Sequence, residues 1–257
     1  MLILIKFLLL SLLLPLVACS VAPLSVPSAL SGKSAAQDAL SSAHRVSVAP
    51  LVGWQHMLLP GKTPTQYLPT QVDGRVAMAA RSEASASMLR QNLRVEPQDL
   101  SSVRFSWKVP ALMERADLGL RDRADSPVRV VLVFEGDRSQ FSMRNSALSE
   151  LSLALTGEAM PYATLMYVWC NSRPSGSVIV SSRTDRIRKL VVESGKGHLN
   201  QWLDYERDVR ADFEKAFGEP PGALIGIAIM SDSDNTRSRT EAWYGPVQLG
   251  QSLLAKK

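Results

Sequence analysis

The chain has 257 residues, a formal charge of +5, 46% hydrophobic and 21% charged side chains. Those fractions fit a folded globular domain and exclude a disordered chain, a collagen-like chain and a polytopic membrane protein. Two cysteines and three histidines provide neither a disulfide framework nor a histidine-rich metal site. No dense Lys/Arg block occurs, so nucleic acid is not an expected partner.

Met1–Ala18 reads as a secretory signal: Lys6 in the n-region, an apolar Phe7–Leu14 run, Pro15, and a small residue before Cys19. Leu16-Val17-Ala18-Cys19 resembles a bacterial lipobox. The resemblance implies cleavage before Cys19 and acylation of that cysteine, a durable membrane anchor at roughly 0.8 kcal/mol per buried methylene. Ser20, where no aspartate stands, then implies sorting to the outer membrane of the bacterial envelope, with the body facing the periplasm. Residues 19–51 are Ser/Ala/Pro-rich and free of aromatic residues, which predicts a tether with a coil span of about 30 Å. Residues 52–250 hold all five tryptophans and read as one domain.

Within that domain the dominant period is two. Asp73-Gly74 predicts a hairpin turn between strands at 66–72 and 75–80. Val103–Val109 alternates apolar and polar residues, as a strand with one dry face does. Val128–Phe134, Leu165–Cys170 and Leu224–Met230 are nearly all apolar and predict central strands. Further strands are expected at 177–182, 186–193 and 242–249. Helices are expected around 147–155 and at 209–217, the second with Asp208 as N-cap and Gly218 as stop. The sum is a mainly β fold, an antiparallel sandwich of jelly-roll type with one or two short helices.

Several segments together resemble a bacterial family, the domain of unknown function 3047. They include Phe105-Ser106-Trp107-Lys108-Val109, Tyr205-Glu206-Arg207-Asp208, Gly226–Met230 with Asp232–Thr236, and Ala242-Trp243-Tyr244-Gly245. The chain departs from the family near Asp125 and Arg129, where Ala124 stands in place of a first aspartate. The resemblance implies no activity.

Candidate sites follow from residue chemistry. Asp232, Asp234 and Asn235 alternate oxygen side chains in a loop, an arrangement that can ligate calcium or simply cap a turn. Arg129 breaks an apolar strand and needs a carboxylate if buried; Asp122 and Asp125 stand nearby, and an Arg–Asp pair there either holds a loop or the arginine meets a ligand. Trp202, Tyr205 and Arg207 offer stacking faces and a guanidinium to a sugar; Trp54, Trp107 and Trp243 are weaker candidates of the same kind. Cys170 reads as a buried, inert thiol. No sequence motif of a known catalytic class is present. The reading is an envelope lipoprotein that acts as a non-catalytic binding module for glycans. A glycan lyase or hydrolase and a protein-interaction domain are the alternatives.

Overall fold

A computed structural model describes residues 53–251, all within the unit Ser41–Lys257. The signal sequence, Cys19 and the tether lie outside the described residues. Among the described residues, thirteen strands form two sheets. The seven-stranded sheet contains β1 (Gln55–Leu58), β4 (Ala86–Val95), β6 (Ser126–Phe134), β7 (Ala163–Cys170), β8 (Val178–Val180), β9 (Ile187–Ser194) and β11 (Leu224–Asp232), in the order β1-β4-β11-β6-β7-β9-β8. The six-stranded sheet contains β2 (Gln66–Val72), β3 (Arg75–Glu83), β5 (Leu100–Lys108), β10 (Trp202–Asp208), β12 (Arg239–Tyr244) and β13 (Gln248–Gln251). Its order is β10-β5-β12-β3-β2, with β13 paired to β5. All pairings are antiparallel except β7 with β9.

The core lies between the sheets. From β6 it takes Val128, Val130, Leu132 and Phe134; from β5 Val103, Phe105 and Trp107; from β12 Ala242 and Tyr244. These are alternate residues, so the strand period decides which side chains are buried. Each large apolar side chain so buried contributes roughly 1.5–3 kcal/mol. As its apolar run predicts, β6 is a central strand, with Val131 buried on the opposite face.

The two helices differ. α2 (Val209–Phe217) is capped as its sequence predicts: the Asp208 side chain accepts from Ala211 N, and Gly218 takes the left-handed conformation. Its buried stripe includes Val209, Phe213 and Ala216, and the Phe213 ring lies 4.6 Å from that of Phe134. α1 (Met143–Thr156) starts four residues earlier than the sequence predicts, because Ser142 is its N-cap. Two further corrections concern strands. The segment expected at 242–249 is two strands, β12 and β13, separated by Gly245-Pro246-Val247. Trp202–Asp208, where no strand is predicted, is β10 at the edge of the six-stranded sheet.

Candidate functional site

The sequence candidates fall into two groups. The first gathers at one end of the sandwich. Arg129 leaves β6 on the outer face and is 3% exposed. Its Nε donates to Asp232 Oδ1 at 2.9 Å and its Nη2 to Asp232 Oδ2 at 2.8 Å, a bidentate fork. Nη2 also donates to the carbonyl of Ala124. Asp232 accepts a third bond, from Ser126 N at 3.0 Å. Burial pushes its carboxyl above the usual range, and the Arg129 guanidinium opposes this. Arg129 therefore pairs with Asp232 and not with Asp125.

Asp125 holds the loop after β11. It accepts from Asn235 N and Nδ2 at 3.2 and 2.7 Å, and from Thr236 N and Oγ1 at 2.7 and 2.6 Å. Asp125, Asp232 and Asp234 each bring an oxygen within 4.8 Å of the others. Their charge is met by Arg129 on Asp232 and by Lys62 on Asp234. Calcium, which needs six to eight oxygens, would have to displace those cations.

The second group lies on β10, and strand alternation divides it. Tyr205 and Arg207 point between the sheets. The Tyr205 ring lies 5.3 Å from both Phe105 and Trp107, and its hydroxyl donates to Glu193 at 3.1 Å. Arg207 forks onto Asp212 of α2 at 2.9 and 2.6 Å. Trp202 has the opposite parity and faces outward. Here the register produces an arrangement that no single segment announces. Trp202 lies opposite Lys108, Lys108 opposite Trp243, Trp243 opposite Ala79, and Ala79 opposite Leu68. Five strands thus contribute one row to the outer face of the six-stranded sheet. The two half-buried indoles stand two strands apart, about 9.5 Å at ordinary strand spacing.

Cations flank both rings. The Arg75 guanidinium lies 5.3 Å from the Trp202 ring and the Lys108 ammonium 5.9 Å from that of Trp243. Each cation has a carboxylate: Arg75 binds Asp204 at 2.9 Å and Lys108 binds Asp73 at 2.6 Å. Gly245 makes the surface possible beside Trp202. A Cβ there would lie 2.1 Å from Ser106 Oγ and 3.7 Å from Trp202 Cζ3.

Two cavities open along the same sheet. One of about 390 Å³ is lined by Arg104, Ser106, Asp204, Glu206, Pro246 and Gln248, beside Trp202. The other, of about 680 Å³, lies one and two rows beyond Trp243. Its walls carry the ion pairs Arg81–Glu241 and Arg239–Glu83, both at 2.7 Å. Thr240 also lines it, and its buried Oγ1 has no hydrogen-bond partner among the described residues. Lys108 and Arg75 escaped the sequence reading because they gain meaning only from neighbours on other strands.

A family model described as "Protein of unknown function (DUF3047)" matches residues 52–248, and the chain belongs to that family. A search of curated proteins finds no match to the chain.

Proposed function

We propose that this protein is a non-catalytic binding module of the bacterial envelope that holds a neutral glycan on the outer face of its six-stranded sheet. The row Trp202–Lys108–Trp243 carries the reading. Sugar rings present C–H faces that pack on indoles, and two indoles at this separation suit alternate sugars of one extended chain. The polar groups around them favour a neutral ligand. Arg75 and Lys108 are balanced by Asp204 and Asp73, so the strip has no surplus charge for a uronate. Paired carboxylates and cations remain good partners for neighbouring sugar hydroxyls.

Binding is favoured over hydrolysis on this face. Glycoside hydrolysis uses two carboxyl groups, one of them a proton donor. Asp73, Asp204, Glu83 and Glu241 are each taken up in an ion pair with a neighbouring cation, so none of the four stands free to act on a glycosidic bond. Calorimetric titration with neutral and uronate-containing envelope polysaccharides tests the reading. Neutral chains bind, and Trp202→Ala and Trp243→Ala each weaken binding about tenfold, in line with about 1.4 kcal/mol per lost stacking contact. Unchanged affinity in the double variant would refute the site. Anchoring at Cys19 belongs to the same proposal: Cys19→Ser moves the protein out of the membrane fraction.

A further inference from the structure

Helix α1 shows more of its large apolar side chains to solvent than it buries. Its first-turn residue Asn145 is buried, and the residues that follow it on the same stripe are Leu148, Ser149 and Ser152, all half-buried. The stripe turned towards the protein is thus mostly polar. The exposed side holds Met143, Ala147, Leu151, Ala154 and Leu155, with the charged Arg144 and Glu150 among them; Met143 is 92%, Leu151 54% and Leu155 61% exposed. A soluble helix normally presents the reverse.

The helix is fastened by polar contacts at its ends. Asn145 donates to Asp185 at 2.7 Å and accepts from Thr184 at 2.8 Å, both in the turn between β8 and β9. Just past the other end, Glu158 takes a fork from Arg90 of β4 at 2.6 and 2.8 Å. The 14-residue helix is about 21 Å long. The four strand spacings from β4 to β9 come to about 19 Å. α1 therefore runs across the outer face of the seven-stranded sheet, with Leu148 on its inward stripe and Leu151 and Leu155 exposed.

We infer that the exposed arc of α1 docks on the lipid bilayer to which the chain is anchored. Three observations select a bilayer over a second protein. The described chain begins beside this helix, since Gln55 pairs with Arg90, the residue that holds Glu158. Arg138, Arg144 and Arg183 are exposed around the N-terminal end of α1, where they suit anionic headgroups. The arc, about 21 Å by 10 Å, offers roughly 200 Å², far below the roughly 800 Å² per partner of a stable protein interface. A weak contact suffices, because an anchored chain holds the domain near the surface at about millimolar effective concentration. The inference rests on acylation at Cys19 and not on the glycan reading.

The test uses the full chain, purified from membranes and returned to vesicles of phosphatidylethanolamine and phosphatidylglycerol with brominated acyl chains. A Leu155→Trp variant adds an indole at an exposed position, and the parent protein supplies the fluorescence baseline. The expected result is loss of most of the added emission on brominated vesicles, at every protein density on the vesicle surface. Added emission that survives bromination overturns the inference. So does a signal that appears only at high surface density, which would indicate a second copy. A chain that fails to sediment with vesicles overturns both the anchor and the docking, whereas sedimentation with unquenched emission overturns the docking alone.

Discussion

Arg129 shows how much one residue holds. Its fork on Asp232 and its bond to Ala124 tie β6, β11 and the end of the β5–β6 connection together. Its backbone N donates to the Tyr244 hydroxyl at 3.1 Å, linking the two sheets. Removing one partner of a buried pair leaves the other charge uncompensated. Arg129→Ala is expected to cost about 3–5 kcal/mol in denaturant unfolding, and a loss below 1 kcal/mol would contradict the node. Lys189 is the opposite case, a buried amine with no carboxylate in contact among the described residues. Its ammonium donates to Leu118 O at 2.7 Å. Burial pushes its pKa down to about 7, with Arg129, Arg183 and Arg173 adding to the effect and Asp232 opposing it. The unfolded value is about 10.4. Between these two values the unfolded chain binds more protons, so this group makes stability rise with pH from about 7 to 10. Below about pH 7 its penalty is complete. Lys189→Met should raise stability at neutral pH by about 1–3 kcal/mol and flatten the rise. Parallel Tm profiles of parent and variant across this range would contradict it.

At the scale of elements, local signals were legible and juxtapositions were not. The Asp73-Gly74 hairpin has both residues at positive φ, 51° and 76°, as the dipeptide demands. α2 was readable from its cap to its stop. β10 was not, because its inward residues Leu203, Tyr205 and Arg207 include a charge that pairs with Asp212, which breaks the apolar alternation. The sequence sets Asp122 and Asp125 near Arg129, but the partner is 103 residues away at Asp232. The row Trp202–Lys108–Trp243 depends on strand order, which no local pattern encodes. Gly222 gives a test at this scale. A Cβ there would lie 2.1 Å from the Glu135 carbonyl, a backbone atom at the end of β6 that cannot swing aside. Gly222→Ala should destabilise the fold by about 2 kcal/mol or more. A neutral effect would mean that the β6–β11 junction is looser than its packing indicates.

At the scale of the molecule, the two sheets present unlike outer faces. The seven-stranded sheet is crossed by α1, whose Leu151 and Leu155 are exposed and, by our inference, turned to the bilayer. The six-stranded sheet bears the aromatic row and both cavities. With the sheets stacked, the proposed glycan face and the bilayer-facing helix lie on opposite sides of the sandwich, so an anchored protein would hold the glycan strip away from its own membrane. The most direct measurement of that arrangement is NMR observation of the five indole N–H resonances while a neutral envelope oligosaccharide is added. Trp202 and Trp243 are expected to shift together in a saturable manner, while the core indoles Trp54, Trp107 and Trp169 stay in place. Saturable binding that leaves Trp202 and Trp243 unmoved would contradict the account.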